Sequence, residues 1–285
     1  MNKEDMETMV QNEVSYLKIN DLHDFKDHPF QVRDDIEMEK LVESVKQQGV
    51  IDPIIVRSGN NGGFEIISGH RRTHAAKTAG LKRVPAIIRE ISDEEATLAM
   101  VDANLHRETL LPSEKAFAYR MKRDALSRQG RRTDLTSNQV GEKWETARKI
   151  GEEAGDSGNQ VRRYIRLTEL IPELLDMVDD RAIKLNTGVE LSYLQREEQT
   201  ALFQIIEKEH LYPSLTQAKE MRQMSREGCF TAARAFRLLS LGSMKERKIT
   251  IGEDKLMLYF HSDMTDEQMK DIIYRLLDEW SRKGD

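Results

Sequence analysis

Residues 66–80 read "IISGHRRTHAAKTAG": an apolar strand end runs through Ser68-Gly69 into a helix with Arg71 and Arg72 at its mouth. A core has no use for that pair, because adjacent guanidinium groups are expensive to bury unpaired. An anion accounts for it. Glycine lets the backbone approach a ligand, the first helical N–H groups are free donors, and guanidinium forks match phosphate oxygens. A solvated surface helix with ordinary charges accounts for the stretch equally well, so both readings stay open here.

Working outward, "VSYLKI" (14–19) predicts a strand, and "EMEKLVESVKQQG" (37–49) spaces Met38, Leu41, Val42 and Val45 as a helix ended by Gly49. "PIIVRS" (53–58) and "FEIIS" (64–68), separated by "GNNGG", predict a hairpin. "RVPAIIREI" (83–91) is a further strand. These segments make a compact α/β unit behind an acidic tail, residues 1–13, expected to be disordered.

From residue 92 the pattern turns helical. Ser92 and Glu95 form a capping box. Pro112-Ser113 opens "EKAFAYRMKRDALSRQ", which Gly130 is expected to stop, and "RRTDLTSNQVGEKW" reads as a polar loop. Helices continue to about Leu241, with turns expected at Asn186–Gly188, Tyr212–Ser214 and Gly228. "RKITIG" and "KLMLYF" alternate like strands before "DEQMKDIIYRLLDEW", which puts Met269, Ile272, Ile273, Leu276 and Leu277 on one side. That ββα unit is too small to stand alone, so its apolar face is expected to meet a second copy, with docking onto its own chain as the alternative.

At 285 residues the chain has room for two or three domains, and 38% hydrophobic with 33% charged residues describes a soluble protein. A single cysteine, Cys229, fits a reducing compartment. No apolar run approaches the ~20 residues that span a bilayer, so a cytoplasmic location without membrane contact is expected. The net charge is −6, yet Lys115–Arg166 holds thirteen Lys/Arg against seven Asp/Glu. A local basic surface can bind a polyanion on an acidic chain; solvated helix faces are the alternative.

"ARKIGEEAGDSGNQVRRYIRL" (147–167) has the pattern of a helix-turn-helix. Ile150 and Ala154 face inward, Gly155 supplies the turn, and Ser157 caps a second helix whose Val161 and Ile165 are buried. Asn159, Gln160, Arg162, Arg163 and Arg166 then point outward. Asn and Gln pair with adenine and Arg with guanine, which suits the front of a recognition helix. His70 and His74 have metal-ligand spacing without a third ligand in view, and Trp144 and Trp280 read as packing residues.

In this order the segments resemble the ParB family of DNA-partition proteins. "HPFQVRDDIEMEKLVESVKQQGVIDPIIVR", "SGHRRTHAA" and "ANLHRETLLPSEKAFAY" look like its successive boxes, followed by the helix-turn-helix. The resemblance implies an α+β chain: a nucleotide-binding domain at 14–110, a helical DNA-binding domain at 111–242 and the ββα dimerisation unit at 243–285. It implies a CTP site of Ser68, Gly69, His70, Arg71, Arg72, Asn104 and Arg107, with Mg²⁺ reached by Asn104 through the nucleotide. It implies a homodimer on a palindromic double-stranded DNA site, Ser157 joining the outward residues of the recognition helix as DNA contacts. A ParA-type ATPase would be the partner, at the nucleoid or on a plasmid. "HRETLLPSEK" reads as a hinge.

Two departures bear on chemistry. His70 stands where the family has glutamate in its arginine box, and Ala103 stands where a glutamate precedes the asparagine. Both remove oxygen ligands a hard cation would want. Asp102 is a poor substitute, because one residue turns a helical side chain by roughly 100°. Hydrolysis is therefore expected to be weak or absent. A transcriptional regulator of a mobile element, without nucleotide response, is the alternative.

Overall fold

The structure, a computed structural model, describes residues 13–26, 28–59, 62–105, 107, 110–133, 139–243, 253–256, 258–261 and 264–282. It separates into two compact units, Met1–Ser243 and Met244–Asp285.

In the first unit β1 (Val14–Lys18), β2 (Leu22–Asp24), β3 (Ile54–Ser58), β4 (Phe64–Ser68) and β5 (Arg83–Ile88) form one sheet, ordered β1-β5-β3-β4-β2. The expected β3–β4 hairpin is present and antiparallel, β1 runs antiparallel to β5, and the β3–β5 and β2–β4 pairs are parallel. Strand β2, absent from the sequence reading, is three residues long and is defined by its pairing with β4. The α1 helix (Ile36–Gln48) opens where the Asp35 side chain accepts the Met38 N–H, and α2 (His70–Thr78) follows β4 through Gly69.

Alternation along β4 divides the core. Ile66 packs with Met38, Val45, Ile54 and Ala76, on the side of α1 and α2. Its neighbour Ile67 joins Phe25, Phe30, Met100 and Tyr119 on the opposite side, as a period of two requires. There α3 (Asp93–Leu105) covers the sheet, started by the expected box: Ser92 N–H donates to Glu95 Oε2 at 2.9 Å and Glu95 N–H to Ser92 Oγ at 3.3 Å.

Helix α4 (Pro112–Thr133) is the spine. Its Ala118 and Tyr119 join the cluster beside the sheet, and Ala116 joins the next, formed by later helices. Buried Lys122 reaches Asp102 on α3 and Glu153 on α5 (Gln139–Ala154), both at 2.5 Å. A buried charge needs such partners. Gly130 does not stop this helix. An interior glycine weakens a helix by about 1 kcal/mol, too little by itself to end one.

After α6 (Gly158–Leu167), helices α7 (Pro172–Asp179), α8 (Leu185–Leu191), α9 (Arg196–Glu209), α10 (Leu215–Arg226) and α11 (Ala232–Ser243) enclose Leu174, Ile183, Leu202, Ile206 and Met221. The turn expected at Asn186–Gly188 lies inside α8. Gly188 is there for close packing: an added Cβ would stand 2.8 Å from Val178 Cγ2 and 3.2 Å from Leu167 Cδ2.

In the second unit the described residues correct one strand of the ββα expectation. Lys255 and Leu256 end a one-turn helix, α12 (Glu253–Leu256), and Leu258–Phe260 form a turn in which Phe260 N–H donates to Leu256 O at 2.9 Å. Local i→i−4 bonding has taken the place of the strand read into "KLMLYF"; "RKITIG" lies outside the described residues. Helix α13 (Asp266–Arg282) is as expected, with Met269 buried, Ile272 and Ile273 half-buried, and Leu276 and Leu277 exposed at 58% and 52%.

Gly188→Ala is expected to lower stability by about 1–3 kcal/mol through overpacking, outweighing alanine's better helix propensity. Urea unfolding checks this; an unchanged or higher midpoint would contradict the packing account.

Candidate functional site

Strand β4 ends by delivering Ser68 and Gly69 to the mouth of α2. Gly69 has φ 105°, and a Cβ there would stand 2.6 Å from Ile54 Cγ2. A left-handed backbone against a filled core position admits only glycine. Thr73 N–H donates to Gly69 O at 2.9 Å, and the first-turn N–H groups of α2 have no acceptor within the helix. They border a cavity of about 180 Å³ lined by Ser68, Gly69, His70, Arg71 and Arg72, facing Ala103, Asn104 and Arg107, with His28, Phe30 and Val32 closing it. All seven residues expected at the nucleotide site thus meet in one place.

Their roles differ. Arg72 Nη1 donates to Asp52 O at 2.7 Å and Pro53 O at 2.8 Å, bracing the segment that leads into β3. Arg71 lies 3.5 Å from Asp35 Oδ1. Burial, then the Arg71 charge, lowers the pKa of Arg107, and Glu114 opposes them. Positive charge is crowded here, which a polyanion would relieve. Asn104 donates to Met100 O at 2.8 Å, and Asp102 turns away to Lys122, as the one-residue rotation predicts.

The sequence reading missed His28. Its ring lies 3.8 Å from that of His70, centroid to centroid. His74 instead meets Asp34 at 2.8 Å, so the two histidines of α2 do not share a ligand. Among the described residues no group of three His, Cys, Asp or Glu could hold a metal. For Mg²⁺ the described lining residues offer imidazoles, guanidinium groups, one amide and the Ser68 hydroxyl but no carboxylate; this donor set does not fit a hard cation.

The second site is the helix-turn-helix, α5 and α6. Gly155 makes the turn at φ 73°, and Ser157 Oγ accepts the Gln160 N–H at 3.1 Å. Asp156 pins the turn to α4, accepting from Tyr119 Oη at 2.5 Å and pairing with Lys115 Nζ at 2.7 Å. Burial acts to raise the Asp156 pKa, but the bonds from Lys115 and Tyr119 outweigh it and hold the carboxyl below its ordinary value.

Val161 and Ile165 are buried as expected, while Asn159 and Arg163 are exposed and Gln160 is half-buried. Arg162 donates to Asn159 Oδ1 and lies over Trp144, which is 58% exposed and so is not a packing residue. Arg166 departs further from the outward reading. It donates from Nε to Ser192 Oγ at 3.0 Å and from Nη2 to Ser192 O at 2.6 Å, and lies over Tyr193. Arg222 stacks on the same ring, its Cζ 3.7 Å from the centroid, and pairs with Glu190 at 2.9 Å. Lys219, Arg222 and Arg226 follow one face of α10 beside a second cavity of about 300 Å³. Their 3-and-4 spacing was visible in the sequence; Tyr193, which joins Arg222 to Arg166 of α6, was not.

Comparison with known proteins agrees with the motifs. Residues 3–105 match the family model for the ParB N-terminal domain. The probable chromosome-partitioning protein ParB of Vibrio cholerae is 32% identical over 204 residues, 70% of this chain and 63% of that protein. The chromosome-partitioning protein ParB of Myxococcus xanthus is 35% identical over 170 residues, 59% and 51% of the two chains. The chain therefore spans less than two thirds of the length of these relatives. C-terminally truncated ParB of Caulobacter crescentus, complexed to the centromeric parS site, matches over 75% of this chain and 99% of that one, with 23% identity and a TM-score of 0.41. Complexed with CTP-gamma-S it matches over 69% and 99%, with 25% identity and a TM-score of 0.32. At those scores the overall superpositions are loose.

Asp156→Asn is expected to cost about 1–3 kcal/mol at neutral pH. Because the folded pKa lies below the unfolded one, the stabilisation is complete above the unfolded value and lost as pH falls through the folded value. The gap to the unmutated chain should close below about pH 4 in urea melts; a gap independent of pH would argue against the charged pair.

Proposed function

We propose that this chain, which carries the ParB N-terminal domain at residues 3–105, is a dimeric, sequence-specific DNA-binding protein of partition type, switched by a nucleotide. The convergence of Arg71, Arg72 and Arg107 on the mouth of α2 carries the reading. Three guanidinium groups and a helix N-terminus in one cavity suit a triphosphate. The ParB resemblance makes that triphosphate CTP.

The residues divide the work. Gly69 allows close approach, Arg71 and Arg107 face the phosphates, and Arg72 both lines the cavity and holds its rim. Without a carboxylate among the described lining residues the site binds with weak hydrolysis or none, which leaves a switch intact. Glu114 ties the two parts: its carboxylate accepts Gln31 N–H at 2.8 Å and Leu111 N–H at 2.9 Å, while Ser113 bonds Asp179 of α7. The segment between α3 and α4 is thus placed to pass a change at the pocket on to the DNA-binding helices, as a clamp requires.

DNA is read by α6. Asn159, Gln160, Arg162 and Arg163 face base edges, and Ser157 and Arg166 set the helix in place. Lys219, Arg222 and Arg226 lie against flanking phosphates, which position without specifying. The exposed Leu276 and Leu277 on α13 belong to the dimer joint. A ParA-type ATPase partner and a nucleoid or plasmid location follow from the same resemblance; no helix among the described residues is long and apolar enough to cross a membrane.

Calorimetric titration should show CTP binding, without ATP, GTP or UTP binding, that Arg71→Ala abolishes while first contact with the DNA site persists. No nucleotide binding by the folded chain would leave a helix-turn-helix regulator as the better account. Arg162→Ala or Gln160→Ala should weaken site binding by about 1–3 kcal/mol and relax specificity, and an unchanged preference would remove α6 as the reader. Deleting 246–285 should give a monomer in light scattering; a persistent dimer refutes the joint.

A further inference from the structure

We propose that the stacked His28–His70 pair takes the place of a divalent cation in the phosphate pocket: its buried imidazole nitrogens donate to an oxyanion of the bound nucleotide, so binding needs no metal and takes up a proton. This rests on the nucleotide reading of the same cavity.

His70 is 9% exposed, and its Nε2 and that of His28 are fully buried with no hydrogen-bond partner among the described residues. Buried polar atoms are rarely left unsatisfied, and each one costs stability. Two such atoms on stacked rings lining one cavity point to a ligand that satisfies them. Among the described residues the groups around them supply no substitute. Asp24 Oδ1, from β2, stops 4.0 Å from His70 Nε2 and belongs to a side chain 82% exposed. Glu114 of α4 is committed to two backbone N–H groups. Arg71 and Arg72 of α2 and Arg107 beyond α3 are cations.

The charge balance decides what enters. Burial, then His28, then Arg107 pull His70 down to about 3, so its ring is neutral at ordinary pH. Burial also lowers His28; Asp24, a hydrogen bond with the Phe30 backbone and Glu114 act against it, and Arg107 with it. A cation entering here would add to an excess of positive charge and find no carboxylate among the described lining residues. A polyphosphate reverses the balance. Its negative charge offsets the three arginines and favours the protonated imidazole, which then donates a charge-assisted hydrogen bond. Two rings stacked this closely cannot both be charged, so the pair takes up about one proton. The bound-state pKa lies above the free one; affinity therefore rises as pH falls through the bound value and levels off near the free value.

The test is calorimetry on the full chain with CTP and, separately, inorganic tripolyphosphate, in Mg²⁺ and in EDTA. At about pH 6, buffers of different ionisation enthalpy report the protons exchanged. The variants are His70→Gln, which keeps a donor without titrating, and His28→Gln, each checked for fold by circular dichroism. Titration of the phosphates themselves is common to all three proteins and cancels in the comparison. The expected result is affinity in EDTA at least equal to that in Mg²⁺, which sequesters the free triphosphate, with proton uptake that at least one of the two substitutions lowers. CTP binding that requires Mg²⁺ overturns the proposal, as does equal proton exchange in all three proteins. Metal-free, histidine-dependent binding of tripolyphosphate but not CTP would uphold the pair and refute the CTP reading. No binding of either anion would sink both.

Discussion

The left-handed turn at Gly69 is the constraint on which the rest depends. Its φ of 105° and the 2.6 Å left between a would-be Cβ and Ile54 make the β4–α2 junction sharp. A larger residue would have to push back the core or abandon the conformation. Because the junction is sharp, the first turn of α2 opens directly over the end of the sheet. His70, Arg71 and Arg72 are thereby held on a rigid element at the rim of a cavity. Ile66 and Ile67, just before the turn, anchor it to both faces of the sheet.

Charge is handled in two ways in this chain. Where it holds the fold, it is paired: Lys122 between Asp102 and Glu153 locks α3, α4 and α5, and Asp156 between Tyr119 and Lys115 fastens the helix-turn-helix to the same α4. Where it faces the pocket, positive charge exceeds what surrounds it, and Arg107 shows the strain of its neighbour Arg71. The paired charges are scaffold; the surplus is what the proposed nucleotide would offset. Helix α4 relates them, since it touches the pocket's neighbourhood through Glu114 and the helix-turn-helix through Lys115, Tyr119 and Lys122.

Much of the fold was legible because local chemistry settled it. The glycine-flanked hairpin, the Ser92–Glu95 box and the Gly155 turn each depend on residues a few positions apart. Misreadings arose where another contact, distant or local, overrode the apparent signal. Gly188 looked like a turn and is a packing position, because Val178 and Leu167 leave no room for a side chain. Strand β2 has too few residues to announce itself and takes its register from β4. "KLMLYF" alternates like a strand, yet its first residues close a helical turn.

The candidate site divides along the same line. The sequence by itself determined the arginine pair at a helix mouth and the polar front of α6, since these depend only on residue type and helical spacing; the carboxylates missing at His70 and Ala103 were visible only against the family resemblance. Only the tertiary structure decided that His28 stacks on His70, that Arg166 is held by Ser192 and Tyr193, and that Trp144 lies beneath Arg162. Each of those contacts joins segments separated along the chain. Their geometry follows from how sheet and helices pack, and no periodicity in the sequence encodes it.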